Sequence, residues 1–382
     1  MAFSFSDEQE EFRGVIRRFL EEKSPITEVR RLMEDSTGFD REVWNQINNE
    51  LGLTGVSIPE AYGGQGFGFV ELCIVLEEMG RALFCAPFFA SAVLGAGAIL
   101  NGATEDQKKK FLPSLASGET IGTLAWMEGD EFWEFAGITT AAKESETGFK
   151  LNGSKNLVLD GHIADLFIVA ARKEGVKGCE GVELFLVDGN ASGLERRPLK
   201  TVDMTRKLAA LQFNDVEAEL LGKGGQGASI LERTLNQAGV AIANESVGGA
   251  QKVLETAVAY AKTRVQFGQP IGAFQAIKHK CADALVDTEL AKSAAFYAAE
   301  TVVDDSENLA EISSLAKSLS SDAFLLAALE NIQIHGGVGF TWEFDAHLYF
   351  RRAKASEVFL GTPTFHRERY AHALGLENSQ RD

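Results

Sequence analysis

Apolar residues near the start of the chain recur at the spacing of an amphipathic helix. Phe12, Ile16 and Phe19 follow one another at intervals of four and three positions, which places them on one helical face. Ser6, with Gln9 three positions later, has the pattern of an N-terminal helix cap. The same region contains three more segments with helical spacing: 41–51, 70–83 and 105–117. The sequence therefore predicts a helical region over the first 118 residues.

The pattern changes near residue 119. Short runs rich in β-branched and aromatic residues are separated there by Gly, Asn and Asp, which is typical of strands joined by turns. Regular short strands of this kind favour a small β-barrel or sandwich. The runs are 121–126, 148–151, 157–159, 166–171, 182–187 and 208–213.

Past a glycine-rich linker at 222–227, the chain is again helical almost to its end. Small residues are frequent in the first helical segment, which predicts close approach of a neighbouring helix. The long predicted helices are 228–262, 276–304 and 309–335. The whole pattern predicts an α+β protein with three domains: an N-terminal helical domain (1–118), a middle β-barrel domain (119–226) and a C-terminal four-helix bundle (227–382).

Composition narrows the class of protein. Hydrophobic residues make up 45% of the 382 positions and charged residues 24%, which excludes a mostly disordered chain. The formal net charge of −18 argues against nucleic acid or an anionic membrane as the main partner. No apolar run reaches the roughly 18 residues of a membrane span. The acidic N-terminus lacks a secretory signal pattern, so we expect a cytoplasmic protein.

Cysteine and histidine positions indicate neither disulfides nor a metal site. No CxxC pair occurs, so buried free thiols in a reducing compartment are expected. The six histidines show no HExxH or similar spacing, and a metal site is therefore not expected. The four cysteines are Cys73, Cys85, Cys179 and Cys281.

Three glycine-containing motifs stand out along the chain. The first is a loop, 52–66, where glycine recurs every few residues and excludes a helix. The second, 264–272, reads Arg-Val-Gln-Phe-Gly-Gln-Pro-Ile-Gly and continues at 274–277 with Phe-Gln-Ala-Ile. The third, 333–340, reads Gln-Ile-His-Gly-Gly-Val-Gly-Phe. In this order and at these separations they resemble the acyl-CoA dehydrogenase family, over essentially the whole chain.

The resemblance implies an FAD flavoprotein. In such enzymes a carboxylate removes the proton α to a thioester, and the flavin takes the β-hydrogen as hydride. The product is a trans-2-enoyl-CoA, and an electron-transfer flavoprotein usually reoxidises the flavin. The family is mostly tetrameric, and a neighbouring subunit completes each FAD site.

The motif residues suit FAD in chemical type. An arginine offers rigid donors to phosphate oxygens, and glutamine amides can hold polar edges of the cofactor. Paired glycines let backbone N–H groups approach closely, and a phenylalanine can present an apolar face to the flavin or adenine. The resemblance assigns these residues to the cofactor: Arg264, Phe267, Gln275, Gln333, Gly336, Gly337 and Thr362.

The family's usual catalytic base is missing from this sequence. Most members carry a glutamate immediately before a Gly-Thr pair in the last domain, and Leu360 stands in that place here. Other members carry it on the first long helix of the C-terminal domain, where this chain has Ala238 and Gly239. None of these side chains can accept a proton.

Glu245 is the best remaining candidate base. It follows Ala238 by seven positions, which puts it on nearly the same helical face, about 10.5 Å further along the axis. The alternative is a structural glutamate that bonds a neighbouring helix or loop. Glu357 and Glu368 are weaker candidates because they are offset from Leu360.

Two stretches of the β region also depart from the family. Typical members have a Thr-Glu-Pro-Gly-like stretch, and a Trp-Ile-Thr after an Asn-Gly-x-Lys turn. Here 126–131 reads Trp-Met-Glu-Gly-Asp-Glu, and Asn-Gly-Ser-Lys at 152–155 precedes Leu-Val-Leu at 157–159. We therefore expect the nucleotide end of an FAD site to be kept and the flavin-ring end to be altered.

The segment 347–354, His-Leu-Tyr-Phe-Arg-Arg-Ala-Lys, is similar to a divergent bacterial subgroup of the family. That similarity implies bulky or unusual acyl-CoA substrates, including steroid side chains, and in several members two unlike subunits. Three functions stay open. They are an FAD-dependent acyl-CoA dehydrogenase with a relocated or partner-supplied base, a non-catalytic or half-site subunit of a hetero-oligomer, and a flavin monooxygenase of the same fold.

Overall fold

A computed structural model describes residues 5–129, 133–146, 148–176 and 178–376. Its α-helices, in chain order, are α1 (Asp7–Lys23), α2 (Ile26–Glu34), α3 (Arg41–Asn49), α4 (Phe69–Ala82), α5 (Ala96–Gly102), α6 (Glu105–Ala116), α7 (Gly227–Thr263), α8 (Gln275–Val303), α9 (Leu309–His335), α10 (Ala346–Val358) and α11 (Pro363–Ala373). Its strands are β1 (Gly122–Ala125), β2 (Ala141–Ser145), β3 (Gly148–Leu159), β4 (Leu166–Lys173), β5 (Val182–Asp188), β6 (Leu194–Leu199), β7 (Leu208–Leu220), β8 (Val265–Gln266) and β9 (Gln269–Pro270).

The predicted N-terminal helices are present, and two helical segments were not predicted. Ser6 caps α1 reciprocally: its Oγ accepts the N–H of Gln9, whose side chain accepts the N–H of Ser6. The sequence predicts neither the short α2 nor the helical stretch from Phe89 to the end of α5. That stretch begins as a π-helix over Phe89–Gly95, where every residue is buried. Without a polar face, its sequence shows no helical period.

The strand predictions differ from the structure in a physically simple way. The runs 148–151 and 157–159 belong to one strand, β3, whose polar centre pairs with β7 through register shifts after Leu151 and Lys155. Strands β2 and β6 were not predicted. Most of their side chains are exposed or half-buried, so neither strand shows the apolar alternation that marks a sheet.

The middle sheet closes on itself. Antiparallel pairing joins β2 to β3, β3 to β7, β7 to β5 and β5 to β4, and parallel pairing returns from β4 to β2. Strand β1 lies parallel to β4, and β6 lies antiparallel to β7. The closed ring confirms the predicted β-barrel between helical regions. Three fully buried phenylalanines come from its strands: Phe167, Phe185 and Phe213.

The chain forms two compact units. Unit 1 comprises Met1–Arg30, Phe69–Phe84 and Gly239–Asp382, and unit 2 comprises Arg31–Gly68 and Cys85–Ala238. Unit 1 thus contains α1, α4, α8–α11 and most of α7, whereas unit 2 contains β1–β7 with α3, α5 and α6.

Within unit 1, α4 and α7 approach so closely that only glycine fits where they meet. A Cβ on Gly80 would collide with the carbonyl of Glu245, and a Cβ on Gly248 would collide with the carbonyl of Glu77. The close helix approach predicted from the small residues of α7 is therefore confirmed.

The four cysteines are free thiols, but they are not all buried as expected. Cys73 and Cys85 are buried, whereas Cys281 is partly buried and Cys179 is exposed. Cys179 begins a short 3-10 turn, Cys179–Gly181, before β5. Within the described ranges, no group of three or more His, Cys, Asp or Glu side chains is placed to hold a metal ion.

One segment differs from the expectation that no apolar segment is long enough to span a membrane. Leu309–Phe340, which contains α9, is long and apolar enough to cross a membrane by length and composition alone. In the fold, 61% of its most apolar window is buried against the rest of the protein.

Candidate functional site

The turn between α7 and α8, here called the α7–α8 turn, carries Arg264, Phe267 and Gln275. Strands β8 and β9 form its two-residue hairpin, and Phe267 and Gly268 connect them with φ values of 54° and 79°. Positive φ at both connecting residues suits such a hairpin but is strained for an aromatic residue. The Phe267 side chain is 90% exposed. The turn therefore presents an aromatic ring outward.

The end of α9, here called the α9 terminus, carries Gln333, Gly336 and Gly337. Gly336 has φ 64° and ψ −143°, a conformation that favours glycine. A Cβ on either glycine would meet no atom within 4 Å, so this backbone faces open space. His335 stacks on Tyr260 with ring centroids 4.0 Å apart, and burial lowers the pKa of His335. It anchors the terminus by packing rather than by charge.

Both of these segments pack on one apolar cluster of unit 1. Ala257 and Ala261 of α7 and Ile334 of α9 form its buried centre. Ile271, from the α7–α8 turn, and Ile277, from α8, pack against that centre. The structure therefore brings the α7–α8 turn and the α9 terminus together, although they are separated by some 60 residues of sequence.

The donor groups on these two segments fit FAD. The side chains of Arg264, Gln275 and Gln333 are exposed and, in the part of the chain that the structure describes, make no hydrogen bond or ion pair. A guanidinium and two amides without internal partners are available to a pyrophosphate and to the polar edges of a nucleotide. The uncovered backbone at Gly336 and Gly337 lets such a ligand approach closely.

The turn between α10 and α11, here called the α10–α11 turn, holds the family's usual base position. Leu360 occupies it, fully buried and with φ 63°. Thr362 is exposed, and its Oγ1 caps α11 by accepting the N–H of Phe365 at 3.3 Å. Lys317 of α9 contacts this turn. Lys317 and Gln333 are separated by about 24 Å along the axis of α9. The structure does not bring Thr362 to the α9 terminus.

Two buried basic side chains brace the α10–α11 turn, and the sequence analysis missed both. Lys317 of α9 donates to carbonyls on either side of Leu360. His366 of α11 donates from Nε2 to the carbonyl of Leu360 at 2.9 Å. Burial, reinforced by nearby Lys317, lowers the pKa of His366 to about 3, so its ring is neutral. The sequence signal was a single lysine among small and polar residues at 313–321.

Glu245, the candidate base, forms an ion pair with Arg352 of α10. Its Oε1 lies 2.7 Å from Nη1 of Arg352, and both residues are buried. Along the axis of α7, Glu245 and Arg264 are separated by about 28 Å. Glu245 is therefore not brought to the α7–α8 turn. The ion pair matches the alternative of a structural glutamate, and the base role stays a prediction.

In unit 2, a buried ion pair joins the two stretches that depart from the family. Lys155 is fully buried, and its Nζ donates to Glu128 Oε1 at 2.6 Å and to the carbonyl of Trp126 at 3.2 Å. Burial opposes ionisation of Glu128, but Lys155 and the bonds from Thr139 and Thr140 outweigh it and lower the pKa of Glu128 to about 2. The stretch that begins at Trp126 is therefore held to β3 by the buried charge of Lys155.

The segment after Lys155 is irregular. Leu157 has φ 52° and lies within the register shift between Lys155 and Val158 on β3. An irregularity of this kind redirects side chains and is frequent beside functional sites. Asp130 and Glu131, at the end of the other stretch, lie outside the described residues.

Comparison with known families identifies the class. Three models match consecutive parts of the chain: the acyl-CoA dehydrogenase N-terminal domain over residues 6–119, the middle domain over 124–216 and the C-terminal domain over 225–375. The chain belongs to the acyl-CoA dehydrogenase family, whose members are flavoprotein oxidoreductases with FAD as cofactor.

Individual relatives agree over nearly the full length. An acyl-CoA dehydrogenase of Bacillus subtilis is 32% identical over 364 residues, which covers 94% of this chain and 95% of that protein. A solved structure described as the electron transferring flavoprotein of Acidaminococcus fermentans has a chain that is 28% identical, with a TM-score of 0.92 and complete coverage of both chains. A chain of the ChsE4-ChsE5 complex from Mycobacterium tuberculosis is 26% identical, with a TM-score of 0.88 and coverage of 99% and 100%.

Proposed function

We propose that this protein binds FAD and oxidises an acyl-CoA thioester between its α and β carbons, giving a trans-2-enoyl-CoA. Bound FAD would supply the hydride acceptor. One observation carries the proposal: in a chain of this family, the α7–α8 turn and the α9 terminus meet on one apolar cluster. There the side chains of Arg264, Gln275 and Gln333 are exposed and make no hydrogen bond or ion pair within the described residues.

The residues of these segments have distinct roles in the proposal. Arg264 binds the pyrophosphate with charge-assisted hydrogen bonds. Gln275 and Gln333 hold polar edges of the cofactor, and the backbone at Gly336 and Gly337 lies against it. Phe267, strained and exposed, packs on an aromatic ring of the cofactor. Thr362 belongs to the flavin end of the site.

The α10–α11 turn contacts α9 at Lys317, about 24 Å of helix before Gln333, so one chain serves two flavin sites in this proposal. The α7–α8 turn and α9 terminus would complete the site of a neighbouring subunit, while the α10–α11 turn serves the chain's own site. Three exposed apolar side chains near the α7–α8 turn and the α9 terminus support such an interface: Phe267, Val338 and Phe340.

Glu245 is proposed as the group that takes the α-proton. Its Oε1 accepts a hydrogen bond from Arg352 at 2.7 Å. The competing role is a brace between α7 and α10. Glu245→Gln separates the two, because an amide keeps the size but accepts no proton. A base role predicts a folded, flavin-loaded variant whose reduction is about 10²–10⁴-fold slower.

The matched control is Glu255→Gln on the same helix. Glu255 also pairs with an arginine, Arg81, at 2.8 Å, but it is half-exposed. This control should reduce its flavin at the parent rate. If Glu245→Gln also reduces at the parent rate and only loses thermal stability, Glu245 is a brace and the base comes from elsewhere.

A second candidate function is a half-site subunit of a hetero-oligomer. It is favoured by the buried Leu360 at the usual base position and by the engagement of Glu245 with Arg352. The similar chain of the ChsE4-ChsE5 complex belongs to an assembly of two named proteins. In this reading, a related partner supplies the base and part of the FAD site.

Partners and location follow from the same proposal. We propose an electron-transfer flavoprotein as the acceptor of the electrons, and a homo-oligomer or a hetero-oligomer with a related subunit as the assembly. The proposed location is the cytoplasm, which agrees with four cysteines that form no disulfide.

An anaerobic titration of the purified protein with a panel of acyl-CoA thioesters tests the proposal. Bleaching of the oxidised-flavin absorbance by at least one thioester, with an enoyl-CoA product, is the expected result. A flavin-free or unreactive chain that gains activity when mixed with a related subunit supports the half-site function instead. Oxygen consumption with supplied reduced flavin, without enoyl-CoA formation, contradicts both and indicates a monooxygenase.

A further inference from the structure

Lys317 is fully buried in the first half of α9, yet it has no carboxylate partner within hydrogen-bond distance in the described chain. Its Nζ lies 2.7 Å from the hydroxyl of Ser321, 3.0 Å from the carbonyl of Ser356, and 3.3 Å from the carbonyls of Glu357 and Gly361. An ammonium group carries three N–H donors, and all of these groups can accept. The site therefore offers an acceptor to each N–H of the charged lysine.

The carbonyls that Lys317 binds span the α10–α11 turn. Ser356 and Glu357 belong to the last turn of α10, where carbonyls lack partners within the helix and a cation is favourable. Gly361 lies beyond Leu360, on the far side of the turn. One side chain thus ties the two sides of the turn together across the family's base position.

The turn needs such a tie because its backbone is strained. Leu360 has φ 63°, a value that costs a leucine energy and persists only where surrounding contacts impose it. His366 adds a further contact by donating to the Leu360 carbonyl, and its Nδ1 lies 3.3 Å from the hydroxyl of Ser314. Lys317 and His366 together bind four carbonyls at the turn, those of Ser356, Glu357, Leu360 and Gly361.

We propose that Lys317 is a positioning residue for the flavin reaction: it holds the α10–α11 turn, and with it Leu360 and Thr362, in the conformation that places residue 360 beside the flavin. The proposal deepens the function proposed above and rests on it. It assigns to Lys317 no contact with substrate or cofactor.

Protonation of Lys317 gives the proposal a second readout. Burial lowers the pKa of Lys317 to about 7, against the opposing influence of Glu357 and Asp322. Flavin reduction should therefore slow as the pH rises above about 7, where the ammonium loses a donor proton. The charged and titratable groups on the three helices around it include Asp322 of α9, Lys354 and Glu357 of α10, and His366, Arg367 and Arg369 of α11.

Lys317→Met tests the proposal in the full-length flavoprotein, because methionine removes the donors and keeps the apolar stem. Ser320→Ala is the matched control: Ser320 is also fully buried on α9, and among the described residues its hydroxyl bonds only the Lys317 carbonyl of its own helix. Amide hydrogen exchange of residues 356–362 should be at least about tenfold faster in Lys317→Met and unchanged in the control. Flavin reduction at saturating acyl-CoA should be at least about tenfold slower and lose its decline above neutral pH.

The outcomes separate the two proposals. If amide exchange in Lys317→Met is faster but the rate and pH profile of flavin reduction match the parent, Lys317 is merely structural and its positioning role is overturned. Unchanged amide exchange in this variant also overturns that role. If no acyl-CoA reduces the flavin of the parent protein, the proposed function fails. The absorbance spectrum of the oxidised flavin in Lys317→Met then tests the positioning role of Lys317. A parent-like spectrum in Lys317→Met then overturns the positioning role as well.

A milder variant covers the case in which Lys317→Met does not fold. Ser321→Ala removes the nearest acceptor of Lys317 and leaves the lysine in place. It should change both amide exchange and flavin reduction in the same directions, by about two- to fivefold. Parent-like values for both measurements overturn the proposal.

Discussion

The α7–α8 turn and the α10–α11 turn carry equivalent strain but are stabilised in opposite ways. Each contains a bulky residue at positive φ, Phe267 in the first and Leu360 in the second. Phe267 is 90% exposed, whereas Leu360 is fully buried under Lys317 and His366. The first turn offers unpaired side chains to an external ligand or subunit, and the second is fixed by its own chain. Substitutions should therefore affect binding in the first turn, and stability or rate in the second.

The largest expected effect comes from placing a carboxylate in the buried turn. Leu360→Glu introduces an acid at the family's usual base position, on a backbone that Lys317 and His366 already hold. We expect straight-chain acyl-CoA to reduce the flavin about 10²–10⁴-fold faster than in the parent, as measured by anaerobic stopped flow. Leu360→Gln, with nearly the same size and no basic oxygen, is the control. Equal rates in the two variants would mean that the pocket has diverged along with the base.

Truncation to alanine tests the contrast in burial directly. Leu360→Ala removes a fully buried side chain, so the free energy of unfolding should fall by about 2–5 kcal/mol. Phe267→Ala removes an exposed ring, and the same quantity should change by no more than about 0.5 kcal/mol in the flavin-free protein. Denaturant titration of both variants measures it. Similar losses in the two would contradict the distinction between the turns.

Arg264→Ala should weaken flavin binding without unfolding the chain. A charge-assisted contact to phosphate is worth about 1.5–3 kcal/mol, so the dissociation constant for FAD should rise by about 10- to 150-fold. Fluorescence titration of the flavin-free protein measures this constant. Lys262→Ala, which removes another exposed positive charge at the end of α7, is the control. An FAD affinity that is the same in both variants counts against the cofactor role of Arg264.

The smallest expected effect is a pH dependence of stability that belongs to the buried turn alone. Burial lowers the pKa of Lys317 to about 7 in the folded protein, whereas an unfolded lysine titrates near 10.4. Between these values the unfolded chain binds more protons, so the free energy of unfolding rises with pH, by at most about 1.4 kcal/mol per unit. Unfolding curves from pH 7 to about 9 should show this slope in the parent and lose it in Lys317→Met. An identical slope in both proteins assigns it to other groups.

The sequence predicted what depends on local periodicity and on motifs. The three long C-terminal helices repeat their apolar spacing over many turns, and the α7–α8 turn and α9 terminus carry recognisable residues. Strands β2 and β6 escaped prediction because their largely exposed or half-buried side chains show no alternation. The helical stretch Phe89–Gly95 could not be predicted because all its residues are buried, so its sequence shows no helical period.

Partners distant in sequence could not be predicted. Glu245 was recognised as an acid among small residues, but Arg352 lies 107 positions further on, and only folding reveals their ion pair. Lys317 and the carbonyl of Gly361 are separated by 44 positions. A backbone carbonyl has no sequence signature at all, so a lysine that binds carbonyls resembles any other lysine in the sequence.

The closed ring of β4, β2, β3, β7 and β5 has a consequence for the order of folding. Strand β7 pairs with β3, β5 and β6, and its last residue is Leu220. A growing chain on the ribosome therefore cannot close the ring until β7 has emerged, and β3 and β5 meanwhile expose unpaired edges. Such edges invite association between nascent chains. Translation pauses or truncations before Leu220 should therefore yield aggregation-prone fragments, whereas later ones should leave an intact barrel.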